Sequence, residues 1–299
     1  MAAPLPDVTL ATLAPPPLPS LVDARSLRTQ RLWRALRLWG PAGFLIFMLA
    51  LCFLWPLIVT LPSPTNGNII QASEPPFSPG HFLGTDQIGV DIFSQLVYGG
   101  QVSFEIGAAT TAIGILIGGT LGVIAGYVSG WLDPVISRLL DILIAFPALV
   151  LALVIAEGLG PSEIHVIWAL SVFSIPAVGR IARGATLTVR GLPFMVAARL
   201  VGTRRWRIIA RHILPNILPG IVTFSLLGFG IVIILEGALD YLGYGIPAPE
   251  ASWGSMISTG QQILSAQPEY VLIPSITLLI TVAALNMLGD ALRERWGIH

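Results

Sequence analysis

The reactive side chains of this sequence give little support for catalytic chemistry. An intramembrane hydrolase would need a nucleophile and a base at membrane depth, yet the four histidines lie in predicted loops, at a span edge or at the terminus (His81, His165, His212 and His299). Neither a Gly-x-Ser-x-Gly nor a His-Glu-x-x-His motif occurs. All 16 basic residues are Arg, and a P-loop needs a Lys to reach the phosphates of a nucleotide. We therefore predict no metal or cofactor site in this chain; if ATP drives its activity, another subunit holds the ATP.

A few polar residues and one proline inside the predicted spans are candidates for a pathway or its gate. An acid within a span is a functional candidate, but Asp141 follows Arg138 by three residues, so we predict an ion pair on one helix face. Glu236 and Asp240 lie at the outer end of the fifth span, where they either meet a cargo amine or solvate a helix end. Asn286 is predicted to bond to a neighbouring helix. The candidate pathway or gating residues are Asp141, Pro147, Glu236 and Asn286.

The elements that position these residues are apolar spans. The chain is 54% hydrophobic and 11% charged, with a mean hydropathy of +0.81, whereas soluble domains carry about a quarter charged residues. We predict an all-α integral membrane protein that does not bind nucleic acid. Six stretches approach the roughly 20 residues that cross the hydrocarbon core. They are 42–61, 104–128, 137–157, 164–182, 214–238 and 271–291.

The arginines are sorted to one side of these spans. Five precede the first span, one lies between the second and third, eight lie within 180–211, and two follow the last. The connections 62–100 and 239–270 contain none. Because positive charge resists translocation across an energised membrane, we predict cytoplasmic N- and C-termini and two long external connections. A further class, the ion channel, is disfavoured because no filter-like repeated loop occurs.

The region before the first span has two predicted parts. Residues 1–24, rich in Pro, Ala and Leu, are predicted to form a disordered cytoplasmic tail. Residues 25–41 repeat Arg among Leu and Trp, which suits a basic amphipathic helix on the anionic inner leaflet; ordinary flanking charge is the alternative. The rest of the chain, 42–299, is predicted to be the six-helix transmembrane domain.

The second span carries glycine at every fourth position. Such a face has no side chains and lets another backbone approach closely. We predict that it packs against protein, either a helix of this chain or a second subunit. The glycines are Gly114, Gly118, Gly122, Gly126 and Gly130.

The connection 191–213, between the fourth and fifth spans, is more than a turn. Its sequence predicts a short Ala-containing helix, a break at Gly202 and a basic amphipathic helix over 203–212. The small residues Ala197 and Ala198 allow a protruding helix to dock closely in a groove of another protein, and Gly202 supplies the turn. A solvated basic loop is the alternative.

In this connection the sequence resembles the permease subunits of bacterial ABC importers. Their hallmark is Glu-Ala-Ala, three residues, Gly, nine residues, Ile, one residue and Leu-Pro. Val196 stands here in place of the Glu and His212 in place of the Ile. The resemblance implies a coupling helix that inserts into a cleft of an ATP-binding subunit. The implied coupling residues are Val196, Ala197, Ala198, Arg199, Gly202, Arg204, Arg205, Leu214 and Pro215.

Other motifs resemble one branch of that family, the dipeptide, oligopeptide and nickel permeases. They are in register over about 78–295, although Val90 stands where Arg is usual. The resemblance implies the second-type permease subunit of a heterodimer, with a type I importer fold. The motifs are 84–94 with Tyr98-Gly99, Arg138 through Asp141 to Phe146-Pro147, 236–243 with Trp253-Gly254, and 288–293.

The resemblance also implies a function and a set of partners. The chain would form half of a pathway through the bacterial plasma membrane for di- or oligopeptides delivered by an extracytoplasmic solute-binding protein. A homologous permease subunit and two ATP-binding subunits or domains, which carry ATP and Mg²⁺, would complete the importer within membrane lipid. Nickel, haem or another small solute is the alternative cargo.

Overall fold

The computed structural model describes residues 24–247 and 250–297, with side chains from Leu36 onward. Apart from connecting segments and two isolated bridges, the described residues are helical, which agrees with the predicted all-α class. The α-helices, in chain order, are α1 (Ala24–Leu49), α2 (Trp55–Ile58), α3 (Ile92–Ile113), α4 (Thr120–Val128), α5 (Leu132–Ile144), α6 (Ala148–Leu159), α7 (Glu163–Arg190), α8 (Pro193–Leu200), α9 (Arg205–Ile208), α10 (Leu214–Tyr241), α11 (Trp253–Gln261) and α12 (Glu269–Arg295).

Five helical stretches among the described residues are long and apolar enough to span a membrane, and the bent pair α5–α6 makes a sixth if it counts as one span. The predicted six spans correspond to these stretches and the pair. Wide π-helical turns join α1 to α2, α3 to α4 and α9 to α10, so each of these joined helices forms one stretch. The five stretches are Leu36–Ile58, Ile92–Val128, Glu163–Arg190, Arg205–Tyr241 and Glu269–Arg295.

The second span begins at Ile92 rather than at residue 104 as predicted. Asp91 caps its first turn, because the Asp91 Oδ1 accepts a hydrogen bond from the backbone N–H of Ser94 at 2.7 Å. Such a cap satisfies one of the N–H groups that a helix start leaves without a partner. The predicted external connection 62–100 is therefore too long, since its last residues form the first turns of α3.

The third span, which we predict over 137–157 with an interruption at Pro147, is broken into two helices. α5 and α6 meet at an angle of 85°. Pro147 precedes α6 with a ψ of 126°, and a proline also disfavours helical geometry at the residue before it, so α5 ends short of Phe146. The sequence also predicts an interruption of the fourth span at Pro176, but Pro176 lies inside an unbroken α7.

The glycine face of the second span packs directly on α7. A Cβ atom at Gly118 would collide with the carbonyl oxygen of Ile175. Gly130 is not part of this face, because it follows the end of α4 with a φ of +69° and open space around it. The structure thus has an intrachain partner for four of the five glycines. Those in contact with α7 are Gly114, Gly118, Gly122 and Gly126.

The core of the bundle joins α7 to α3, α6 and α10. Its fully buried aliphatic side chains include Ile106, Leu170, Val232 and Leu239. Within lipid, such packing stabilises through close van der Waals contact rather than through removal from water. Because α4 and α5 also pack on α7, this helix is the central element of the fold.

The distal end of the bundle, which we define as the end opposite 191–213, is closed by α11 and the segment before α3. Trp253 is fully buried, and its Nε1 donates a hydrogen bond to the carbonyl oxygen of Leu96 at 2.9 Å. Asp86 accepts two backbone N–H hydrogen bonds, at 2.9 and 2.8 Å, and one from Gln95 Nε2 at 2.7 Å. Both contacts fix the distal segments on α3.

Two predicted regions extend beyond the described residues. The predicted tail 1–24 lies outside them except for Ala24. The predicted surface helix 25–41 is the first part of α1 and continues into the first span; its place on a membrane surface stays a prediction. The predicted connection 239–270 contains α11, and its residues 248–249 are not described.

Candidate functional site

The candidate coupling loop, 191–213, is organised around the end of α8. The backbone N–H of Thr203 donates to the carbonyl oxygen of Ala198 at 3.1 Å, and that of Gly202 donates to Arg199 at 2.9 Å. These two bonds, with a φ of +76° at Gly202, form a Schellman motif, which favours glycine at the left-handed position. Gly202 therefore reverses the chain between α8 and α9.

After Gly202 the chain enters the fifth span without a second break. α9 begins at Arg205, and a π-helical turn at Ile209–Ile213 joins it to α10. Pro215 accounts for the wide turn, because it has no N–H for the carbonyl group four residues before it. The separate basic helix expected over 203–212 is therefore part of one continuous helix that passes through Leu214-Pro215.

α8 is anchored on one side and open on the other. Met195 is fully buried and packs in a cluster with Ile208 and Ile213. The tip of the loop is apolar and open, since Leu200 and Val201 are 83% and 85% exposed. The coupling residues implied by the resemblance are exposed, except for Ala198, which is half-buried; the exposed ones are Val196, Ala197, Arg199, Gly202, Arg204, Arg205, Leu214 and Pro215.

Two arginines connect α8 to the helices behind it. The Nη2 of Arg199 donates to the carbonyl oxygen of Arg190, the last residue of α7, at 2.8 Å. Arg190 in turn donates to the carbonyl oxygen of Gly126 at 3.2 Å and to the Ser129 hydroxyl, at the end of α4. Charge-assisted bonds of this kind are roughly twice as strong as neutral ones. The loop is thereby tied to the central helix.

The candidate Asp141 does not pair with Arg138. Its Oδ1 lies 2.6 Å from Arg180 Nη2 on α7, and a second pair between the same helices joins Asp133 to Arg183 through bonds of 2.6 and 2.9 Å. Arg138 is exposed and has no ion pair with the described residues. The expected local pair is wrong because the packing of α5 on α7 supplies partners from across the helix interface.

Glu236 does not solvate a helix end, because its side chain is fully buried. Ser103 donates its hydroxyl to Glu236 Oε2 at 3.2 Å. Asp240 is also buried; its Oδ1 accepts the Ile246 N–H at 2.7 Å, and its Oδ2 accepts the Ser252 hydroxyl. Burial this deep also leaves Glu236 without access for a cargo amine, so this acid pair holds α3, α10 and the distal segment together.

A cavity of about 350 Å³ with a mixed polar and apolar lining opens beside this acid pair. Among the described residues, no basic side chain lines it. Its charged lining is therefore acidic, which suits a positively charged or amine-bearing group. Its polar lining includes Asp86, Gln95, Asp240, Glu250, Ser255 and Tyr270.

Asn286 makes no hydrogen bond with a neighbouring helix among the described residues. Its side chain is exposed on α12 and makes no hydrogen bond with the described residues. Pro147 ends the break between α5 and α6, as described above. The structure thus keeps the four pathway candidates apart: Asp141 near the coupling loop, Pro147 at the break, Glu236 in the distal core and Asn286 on an open face.

Five residues of this site were not singled out from the sequence. Asp133, Arg180 and Arg183 form the α5–α7 pairs, and the spacing of three between the two arginines, which places them on one helix face, is a signal for them. Leu200 and Val201 form the apolar tip, and an adjacent apolar pair just before a glycine in a basic loop is the corresponding signal. Within the described residues, no group of three His, Cys, Asp or Glu side chains could hold a metal ion.

The chain is similar to known transport proteins over most of its length. Residues 118–296 match the family described as the binding-protein-dependent transport system inner membrane component. It is 36% identical over 251 residues to the glutathione transport system permease protein GsiD of Pectobacterium atrosepticum, covering 84% of this chain and 83% of the relative. It is 40% identical over 214 residues to the dipeptide transport system permease protein DppC of Alkalihalophilus pseudofirmus, covering 72% and 70%.

Solved structures support the same fold. A chain of the MetNI methionine ABC transporter in inward-facing conformations aligns with a TM-score of 0.56 at 19% identity, covering 67% of this chain and 95% of that chain. A chain of an amino acid ABC transporter aligns with a TM-score of 0.54 at 17% identity, covering 67% and 94%. At this identity the likeness concerns the fold alone. From the family match and the two relatives, this chain belongs to the inner membrane components of binding-protein-dependent transport systems, and it is a multi-pass permease subunit of an ABC transporter rather than an enzyme.

Proposed function

We propose that this permease imports di- or oligopeptides and is driven by separate ATP-binding subunits through the candidate coupling loop. In this proposal two such subunits bind ATP and Mg²⁺, a second, homologous permease subunit completes the pathway, and a solute-binding protein delivers the cargo. Membrane lipid surrounds the pair.

One observation carries the coupling part of the proposal: the exposed apolar tip formed by Leu200 and Val201. Leu200 and Val201 are adjacent and project from a loop that is otherwise rich in arginine, and the Schellman turn at Gly202 fixes the direction in which they project. Arg204 and Arg205 are exposed beside the tip. The apolar pair would fill a cleft in the ATP-binding subunit, while the arginines face acidic groups at its rim.

The orientation of the chain follows from this assignment. ATP is cytoplasmic, so the coupling loop lies inside and the distal end outside. The arginine sorting supports the same orientation, because the positive-inside rule places the Arg-rich connections in the cytoplasm. Both termini are then cytoplasmic in the inner membrane.

The peptide cargo is supported by the relatives and by the distal cavity. The printed names of two relatives specify glutathione and dipeptide transport, and both cargoes carry an amino group. Glu250 is an exposed acid at this cavity, and no basic residue of the described chain lines the cavity beside it, which suits such a group. Mass spectrometry of ligands released from the cognate binding protein tests this point; peptides support the proposal, while nickel, haem or another solute overturns the cargo assignment alone.

Co-purification tests the coupling assignment. We expect a double variant, Leu200→Glu with Val201→Glu, to reach the membrane but to retain the ATP-binding subunit at least about tenfold less well, as for loss of an interface hot spot. Ile70→Glu is the matched control, because Ile70 is 93% exposed at the distal end. Equal retention by the double variant and the control would refute the assignment.

A further inference from the structure

The broken third span is connected to the central helix by two ion pairs. The carboxylate of Asp133 receives two parallel bonds from Arg183, at 2.6 and 2.9 Å, and Asp141 receives one from Arg180 at 2.6 Å. The two-pronged geometry fixes direction as well as distance. Both acids lie on α5 and both arginines on α7, so the pairs link the two helices along the part nearest the coupling loop.

The remaining contacts of α5 are apolar. Ile136 and Leu140 pack on Ala125 of α4, and Leu140 also fits against Gly179 of α7. Apolar attraction is not itself directional, whereas the ion pairs join particular atoms of the two helices. The ion pairs therefore add a directional restraint that holds α5 to α7 when α7 moves.

The C-terminal end of α7, seven residues after Arg183, is fixed to the coupling loop. Only Gly191 and Leu192 separate α7 from α8, and the bond from Arg199 to the Arg190 carbonyl closes this corner. A displacement of α8 is therefore passed to α7. If α5 follows α7, the displacement reaches the 85° break before α6, and breaks of a few residues at helix ends are where hinge motions are absorbed.

We propose that Asp133 and Asp141 are positioning residues that make α5 move together with α7, so that the coupling loop drives the break between α5 and α6. The ion pairs transmit a movement of α7 to α5, and the backbone of residues 145–147 changes conformation to accommodate it. This inference rests on the proposed role of the coupling loop. In this proposal the broken third span changes its shape during the transport cycle, rather than only packing in one fixed position.

The test uses the complete transporter reconstituted in lipid vesicles with its ATP-binding subunits, its second permease subunit and its binding protein. The variant combines Asp133→Asn and Asp141→Asn, which keep the side-chain shape and remove the charge. Uptake of a radiolabelled dipeptide and ATP hydrolysis are measured on the same vesicles. We expect dipeptide uptake per ATP hydrolysed to fall about fivefold, the factor that corresponds to about 1 kcal/mol.

Two controls separate positioning from mere stability. Arg138→Gln removes a charge from the same helix at an exposed residue that has no ion pair with the described residues, and it should leave the ratio unchanged. The exchange of Asp133→Arg with Arg183→Asp should give a higher ratio than the single variant Asp133→Asn measured in parallel, because the exchange can re-form the pair with reversed charges. A merely structural role would lower the amount of assembled complex without changing uptake per ATP.

The outcomes also separate this inference from the proposed function. If the wild-type complex takes up dipeptide with ATP but the Asp133→Asn, Asp141→Asn variant has an unchanged ratio, the positioning role is wrong and the proposed function stands. If the ratio falls equally in the Arg138→Gln control, the positioning role is also wrong. If the wild-type complex does not couple uptake to ATP at all, the proposed function itself fails.

Discussion

Substitution of Gly202 isolates the backbone geometry of the coupling turn. The residue has a φ of +76°, and a Cβ atom placed there would have no atom within 4 Å. A Cβ atom therefore meets no steric obstacle within this chain, and the effect on the fold of the loop arises from the left-handed backbone. We compare Gly202→Asn, Gly202→Ala and Gly202→Val, in order of decreasing tolerance for that conformation.

The expected size follows from the cost of the left-handed region. For an ordinary L-residue that cost is about 1–2 kcal/mol, which lowers the population of the turn by about fivefold to thirtyfold at an RT of about 0.6 kcal/mol. Asparagine enters this region more readily, so its effect should be smallest. Valine is β-branched and a genuine outlier there, so its effect should be at or beyond the upper end.

The assay is ATP hydrolysis stimulated by the cargo-loaded binding protein, in complexes purified in equal amounts. We expect the stimulated rate to decrease in the order wild type, Gly202→Asn, Gly202→Ala, Gly202→Val. Gly220→Ala is the control, because Gly220 also has open space around it but no positive φ. Normal stimulation with Val, or an equal loss with Asn and Val, would refute the reasoning that the left-handed turn directs the loop.

Three further predictions concern packing, the buried acid and topology. Gly118→Ala should lower the thermal midpoint of the detergent-solubilised protein by overpacking worth about 1–3 kcal/mol, while Gly119→Ala, which has open space, should not; equal midpoints would contradict the packing of the glycine face. Glu236→Gln should lower the midpoint less than Glu236→Ala, because the amide keeps a bond with Ser103, and the reverse order would contradict a structural role for the acid. In a Cys52→Ala background, an impermeant thiol reagent on intact cells should label Ile70→Cys and not Val201→Cys, and the opposite pattern would reverse the orientation.

Features encoded in local sequence were predictable. Apolar stretches that are long enough to cross the membrane indicate the spans. Glycine at every fourth position indicates that these residues share one helix face, although it does not identify the helix that packs against that face. The break at Gly202 follows from a single residue type, because few residues tolerate a positive φ. The early start of α3 was also encoded in the sequence, because Asp91 is a capping residue. The predicted boundary at residue 104 was based on hydropathy and did not use this signal.

Features that depend on distant parts of the chain were not predictable. Arg180, the partner of Asp141, lies 39 residues away, and Ser103, the partner of Glu236, lies 133 residues away. Neither separation leaves a periodic trace in the sequence. A proline predicts an interruption but not its angle, which is why Pro147 at an 85° break and Pro176 inside a continuous helix could not be told apart.

Photo-cross-linking from the tip of the coupling loop tests the central claim most directly. A photoreactive amino acid is introduced at Val201, and at Ile70 as a control of similar exposure, in the assembled transporter in its native membrane. We predict an adduct between position 201 and the ATP-binding subunit, and no such adduct from position 70. An adduct with that subunit from position 70 would contradict the claim that this loop is the contact through which ATP hydrolysis drives transport. The lack of an adduct from position 201 in an active complex would contradict it as well.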